Sequence, residues 1–213
     1  MNKIKILHKS FSKPISCLTA YSPSIANILD GKIDLILVGD SLGSTLYGMQ
    51  NTQGVTMDMM KHHGVAVNKE IKRSLKVLDM PYKTYENKID AYSNAKILLN
   101  HCAPDLLKIE ISEKKLVVLI HLVDKKINVI SHIGVTPQSY KNFNKIKVLG
   151  RTNKEKQNLL KLAKESEALG AKAVLLECVT TDTAKLITEN ISIPTIGIGL
   201  QNIVMVKFWY LMI

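Results

Sequence analysis

Residues 35–43 read L-I-L-V-G-D-S-L-G, an apolar run that delivers an acid and a hydroxyl onto a glycine-bounded turn. Four apolar side chains closed off by Gly39 are too few for a helix and predict a strand buried on both faces, as in parallel sheets covered by helices. Asp40 and Ser41 then lie at its carboxyl end. In open α/β sheets and in closed (βα) barrels, that end is where loops gather polar groups around one crevice. The fold turns on whether other strands end in the same way.

Six more segments have strand character: 15–20, 77–80, 106–110, 129–134, 173–179 and 195–199. Helix-like spacing falls between them, at 24–29, 56–75, 92–100, 116–123, 154–169 and 183–189. The 154–169 segment is the clearest, with Leu159, Leu162, Ala163 and Leu169 on one face, charge on the other, and Gly170 as a C-terminal stop. Strands alternating with helices, with no linker or low-complexity segment, predict one parallel α/β unit. Seven strands are one short of a closed (βα)8 TIM-type barrel, so the expectation is an incomplete barrel domain over 1–199.

Five of the predicted strand ends carry a group with chemistry: Asp40 and Ser41, Asp79, Lys108 and Glu110, His132, and Glu177. In a barrel these converge. Asp40, Asp79 and Glu110 are hard oxygen donors suited to Mg²⁺ with positions open for substrate. Lys108 and Glu110, two residues apart, share one side of a strand. Each group also has a structural reading. A strand-end Asp is often the N-cap of the next helix, Lys108 with Glu110 makes an ion pair, and His132 is a satisfied core histidine. His62 and His63 are adjacent on a predicted helix and do not share a face, which argues against a metal role for the pair.

Composition narrows the class. The chain of 213 residues is 46% hydrophobic and has no run near the roughly 18 apolar residues of a membrane span. No secretory signal is evident in M-N-K-I-K-I-L-H-K-S, which makes the cytoplasm the expected compartment. Cys17, Cys102 and Cys178 are odd in number, far apart and without C-x-x-C spacing, as expected of reduced thiols. The net charge is +11, but only Arg73 and Arg151 are arginine and the lysines are scattered rather than striped. That pattern argues against a nucleic-acid partner.

The motifs V-G-D-S-L-G (38–43), D-M-P-Y (79–82), K-I-E (108–110), H-I-G-V-T-P-Q (132–138), L-L-E-C-V (175–179) and S-I-P-T-I-G-I-G (192–199) resemble, in order and spacing, the ketopantoate hydroxymethyltransferase family. L-T-A-Y (18–21) and G-V-T-M-D-M-M (54–60) fit as well. The resemblance implies a (βα)8 barrel and a one-carbon transferase of pantothenate biosynthesis. It acts on 3-methyl-2-oxobutanoate with 5,10-methylenetetrahydrofolate as co-substrate, through an enolate. It also implies Mg²⁺ held by Asp40, Asp79 and Glu110, and Glu177 as the base. Substrate would be bound by Asp40, Ser41, Asp79, Lys108 and His132, and the assembly would be a homo-oligomer, decameric by resemblance. Two readings compete with it. One is another Mg²⁺-dependent 2-oxo-acid barrel of the isocitrate lyase and phosphoenolpyruvate mutase group, although its usual K-x-C-G-type loop is absent. The other is a non-catalytic truncated remnant.

Two departures from the family stand out. Ile111 and Ser112 follow K-I-E where the family carries Gly-Gly, so a close backbone approach to ligand there would be altered. Residues 200–213, L-Q-N-I-V-M-V-K-F-W-Y-L-M-I, do not match the family and read as a foreign tail, so the eighth strand is expected to be missing, strands one and seven to keep bare, aggregation-prone edges, and the chain to be insoluble or inactive. A one-base frameshift accounts for the tail. Reading the third base of each codon with the first two of the next, Met205 with Val206 forces Gly, Phe208 with Trp209 Leu, Trp209 with Tyr210 Val, and Met212 with Ile213 Asp. The resulting G-x-x-L-V-x-x-D agrees with the family's continuation. Sequencing the locus is expected to show a single-base deletion near codon 200; an unshifted gene ending here would refute this.

Overall fold

The computed structural model describes residues 4–8, 15–142 and 145–198, together with the backbone of 206–209. Eight parallel strands form a closed barrel in sequential order: β1 (Ile15–Thr19), β2 (Leu35–Val38), β3 (Leu75–Asp79), β4 (Leu106–Glu110), β5 (Val129–Gly134), β6 (Ala173–Glu177), β7 (Thr195–Ile198) and β8 (Val206–Trp209). The α/β barrel class and the seven strands expected from sequence are present. The expectation of a missing eighth strand is corrected. The backbone of V-K-F-W pairs with β1 from Ile15↔Val206 to Leu18↔Trp209, and with β7 at Ile196↔Val206 and Gly197↔Lys207. Valine, phenylalanine and tryptophan favour extended backbone, and the facing edges of β1 and β7 offer a ladder that any such run can fill. The remainder of the tail, and Gly199 at the expected end of strand seven, lie outside the described residues.

Among the described residues, eight α-helices accompany the strands: α1 (Lys5–His8), α2 (Pro23–Leu29), α3 (Leu42–Tyr47), α4 (Met57–Asn68), α5 (Lys88–Cys102), α6 (Leu116–Asp124), α7 (Asn153–Ala168) and α8 (Thr181–Asn190). Because side chains alternate along a strand, β1 to β6 split their residues between two cores. Ile36, Val38, Leu78, Leu107, Ile109, Ile133, Val174 and Leu176 point outward and pack against the helices. Leu35, Leu37, Leu75, Val77, Leu106, Ile130, Ala173, Leu175 and Ile196 fill the barrel interior, with Leu7 of α1 and Cys17 packed among them. This inner cluster packs the amino-terminal part of the barrel, and Leu37 and Ile198 carry it up to the carboxyl-terminal end.

The α4 segment departs from the periodicity reading, which ran the helix to residue 75. It ends at Asn68 because Asp30 captures the backbone that follows. The Asp30 carboxylate accepts from the amides of Lys72 (3.0 Å), Arg73 (2.9 Å) and Ser74 (2.9 Å). Ile71, read as part of the apolar helix face, fills the outer core from the loop, and Leu75 begins β3. The 154–169 helix is close to expectation as α7. A reciprocal cap starts it: Thr152 Oγ1 accepts from the Glu155 amide, and Glu155 Oε2 accepts from the Thr152 amide.

Gly134 ends β5 with φ +94°, where a Cβ would lie 2.4 Å from the Glu177 carbonyl oxygen. That close approach allows Val135 N to donate to the same carbonyl at 2.8 Å and ties the β5 and β6 ends together. Gly134→Ala combines a left-handed backbone with a backbone clash and is expected to cost roughly 2–3 kcal/mol. Urea denaturation checks it, and a midpoint equal to the parent's would contradict the account.

Candidate active site

Continuing the interior parity of each strand towards its carboxyl end replaces leucine and valine with charge. Leu75 and Val77 lead to Asp79, Leu106 to Lys108 and Glu110, Ile130 to His132, and Ala173 and Leu175 to Glu177. These side chains meet in one cavity of about 320 Å³, together with Asp40 and Ser41 from the turn after β2. Every residue singled out from sequence therefore lines the same space. Apolar walls come from Leu37, Pro137, Ile146 and Ile198.

The capping reading of the strand-end acid does not apply. Ser41 occupies the N-cap position of α3, but no side chain caps that helix. Instead Asp40 Oδ2 accepts from Gln138 Nε2 at 2.7 Å, and Ser41 Oγ lies 2.7 Å from the Tyr21 hydroxyl. The pairing of Lys108 with Glu110 is also corrected. Strand register sets Lys108 opposite Asp79, and the ammonium lies 3.0 Å from Asp79 Oδ1. Lys108 Nζ is also 3.2 Å from His132 Nδ1. An ammonium can only donate, so Nδ1 accepts and the ring proton sits on Nε2. That nitrogen is 3.3 Å from Glu177 Oε2, without the alignment of a full hydrogen bond.

Burial and like charge decide the electrostatics. Burial, then the neighbouring Asp79, push the Asp40 carboxyl up to about 7. Burial, then Asp40, push Glu110 up to about 8. Burial works against the Lys108 ammonium, but Asp79, Asp40 and Glu110 outweigh it and hold it above its ordinary value. Burial and the adjacent Lys108 lower His132, keeping it neutral.

Two residues given no role by sequence reasoning organise the carboxylates. Gln138, in the turn after β5, donates through its backbone amide to Glu110 Oε1 at 3.0 Å and through Nε2 to Asp40 Oδ2. Tyr85 donates to Gln138 Oε1 at 2.5 Å and accepts from the Glu110 amide at 3.2 Å. Gln138 stood within the H-I-G-V-T-P-Q motif, but nothing in its spacing marked it as a partner of residues on β2 and β4. Ile111, the departure after K-I-E, is buried in the outer core and does not line the cavity.

Among the described residues, no three His, Cys, Asp or Glu side chains already form a closed metal cage. The donor set still fits a cation that keeps part of its water shell, as Mg²⁺ does. Asp40 Oδ1 and Glu110 Oε2 accept no described hydrogen bond, and Asp79 Oδ1 has Lys108 beside it but no aligned donor. The raised carboxyls of Asp40 and Glu110 reflect burial first and the neighbouring acid second, a penalty on ionisation that a bound cation would relieve.

A family model described as ketopantoate hydroxymethyltransferase matches residues 2–204. The chain belongs to this family. It is 43% identical over 201 residues to the 3-methyl-2-oxobutanoate hydroxymethyltransferase of Pelagibacter ubique, covering 93% of this chain and 77% of that protein. It is 41% identical over 198 residues to the one from Pyrococcus furiosus, covering 92% and 69%. Curated members of the ketopantoate hydroxymethyltransferase family are hydroxymethyltransferases, so the chain is a one-carbon transferase by family. Solved structures share its fold at low identity. An oxaloacetate acetylhydrolase matches with TM-score 0.71 at 11% identity, covering 93% of this chain and 70% of that one. A phosphonopyruvate hydrolase solved with oxalate and Mg²⁺ matches with TM-score 0.68 at 13% identity, covering 93% and 72%. These likenesses concern the barrel alone.

A buried acid whose folded pKa is raised stabilises the fold below its unfolded value and loses that contribution as pH rises through the folded value. For Asp40 the window runs from 3.8 to about 7, and for Glu110 from 4.5 to about 8. Stability of the metal-free protein is therefore expected to fall between pH 5 and pH 8. Thermal melts in chelator across that range check it, and a rising or flat profile would contradict it.

Proposed function

We propose that this chain transfers a hydroxymethyl group from 5,10-methylenetetrahydrofolate to 3-methyl-2-oxobutanoate, giving 2-dehydropantoate. The observation that carries the reading is the meeting, in one largely apolar cavity, of a buried carboxyl cluster with Glu177, in a chain about 40% identical to enzymes of that name. A cavity near 320 Å³ is of a size for a small oxo acid. Leu37 and Ile198 suit a branched alkyl group, and Lys108 with Ser41 suits the carboxylate and the developing enolate oxygen.

Asp40, Asp79 and Glu110 would hold Mg²⁺, with water completing the shell. When bound, the ion supplies Lewis-acid polarisation of the 2-oxo group, which makes the neighbouring C3–H acidic. Glu177 takes that proton. Its side chain is 14% exposed, whereas His132 beside it is 2%, so the base faces the cavity with a buried neutral imidazole at its back. The C3 carbon then forms a bond to the one-carbon unit, and one water is consumed to furnish the hydroxyl as tetrahydrofolate leaves. Lys108, held between Asp79 and His132, keeps a positive charge where the enolate oxygen develops.

Asp40, Ser41, Asp79, Lys108 and His132 form the substrate-contacting set in this reading. A cytoplasmic homo-oligomer, decameric by family resemblance, is its assembly. The catalytic unit is 1–199, and 200–213 is a shifted-frame tail that supplies an eighth strand.

The deciding experiment follows the C3 proton. With Mg²⁺ and 3-methyl-2-oxobutanoate in deuterated water, the parent chain is expected to exchange that proton, as read by NMR. Glu177→Gln is expected to lower the rate at least a hundredfold while oxo-acid binding stays within a fewfold of the parent. Parent-like exchange in the variant removes Glu177 as base, and lost binding makes it a ligand.

A further inference from the structure

Gln138 stands out among buried polar residues outside the catalytic set because its side chain and both of its backbone polar groups are engaged. Nε2 donates to Asp40 Oδ2 (2.7 Å) and to the Met80 carbonyl (3.0 Å), so both amide protons are used. Oε1 accepts from Tyr85, which itself is fully buried. The backbone amide donates to Glu110 Oε1, and the backbone carbonyl accepts from Gln53 Nε2 at 2.8 Å. One residue thus grips one oxygen of each of two acids that arrive from β2 and β4.

We propose that Gln138, locked by Tyr85, is a positioning residue that presets the Asp40 and Glu110 carboxylates for a divalent cation. The reasoning is geometric. By occupying Asp40 Oδ2 and Glu110 Oε1, it leaves Asp40 Oδ1 and Glu110 Oε2 as the oxygens without a described donor. The carbonyl of Met80, the residue after Asp79, is a third anchor, so Gln138 refers both carboxylates to the chain that carries Asp79. The amide cannot reverse without facing Nε2 to the Tyr85 hydroxyl proton and Oε1 to a carboxylate and a carbonyl. Gln53 reaches over from the turn after α3 and fixes the backbone at the same point. None of these contacts requires Gln138 to touch substrate or metal; it acts through the two acids. Partners of this kind typically change metal affinity 10- to 100-fold when removed.

This inference rests on the Mg²⁺ reading above. The test is calorimetric titration of Mg²⁺ alone into the full chain and into Gln138→Met and Tyr85→Phe, with circular dichroism and melting temperature recorded in parallel. Gln138→Met keeps length and removes the Nε2 donors to Asp40 and the Met80 carbonyl, while the backbone donor to Glu110 stays, and is expected to weaken Mg²⁺ binding about tenfold or more. Tyr85→Phe removes the hydroxyl that holds Oε1 but keeps both Nε2 contacts, and is expected to weaken it by a smaller factor, about threefold. A merely structural role would lower the melting temperature with Mg²⁺ affinity unchanged, and that result in a folded Gln138→Met overturns the proposal. If Gln138→Met does not fold, Tyr85→Phe decides alone: parent-like affinity overturns the proposal and a loss supports it. A parent chain that binds no Mg²⁺ overturns the metal reading itself and the proposal with it.

Discussion

The structure depends on one constraint: three carboxylates and one ammonium sit together in the interior of a closed barrel. Asp40, Asp79, Lys108 and Glu110 are each at most 6% exposed. At an effective dielectric of about 20, two unit charges about 4 Å apart interact by about 4 kcal/mol, so one lysine cannot compensate three acids. The chain manages this excess in three ways. Lys108 bonds to the acid directly opposite it, Asp79. Asp79 Oδ2 accepts from the Asp40 amide, and Gln138 donates to the other two acids. Asp40 and Glu110 retain protons well above the usual carboxylate range. A buried group that is costly to ionise is a poor structural device and a natural receptor for a cation.

The same parity that builds the floor aims the site. An interior column on β4 runs Leu106, Lys108, Glu110, and one on β3 runs Leu75, Val77, Asp79. The amino-terminal part is dry and packed, with Leu7 of α1 among its apolar side chains. Polar groups placed above such a floor are ordered by backbone register rather than by loop flexibility. Register makes Lys108 face Asp79, and His132 face Glu110 across the next pair of strands. The lysine therefore touches the imidazole as well as the acid, which fixes the His132 tautomer and turns its Nε2 towards Glu177.

Strands β4 and β5 were legible residue for residue, because each is a short β-prone run that opens on apolar residues and carries its polar groups after them. The α4 boundary was not. Apolar spacing continued through Ile71 and Leu75, and the helix is stopped by Asp30, an acid some forty positions earlier that takes three amides. The six-residue α3 is too short to show a period. At the site, strand-end position was enough to collect the chemical groups, but partners across strands were hidden. Lys108 and Glu110 look paired in one dimension, whereas the true partner lies on the neighbouring strand. Gln138 was invisible for the same reason, since its role exists only once β2, β4 and the loop after β5 are brought together.

Closure of the barrel places a different demand on sequence. The candidate site residues singled out from sequence come from β3 to β6 or from the turn after β2, while the seam lies between β7 and β1. At that seam the pairing is made by backbone amides and carbonyls, four register pairs with β1 and two with β7. Such a ladder asks for extended, β-prone residues and little else. Any extended, β-prone run can therefore complete the cylinder, and the candidate site residues lie on other strands or in the turn after β2.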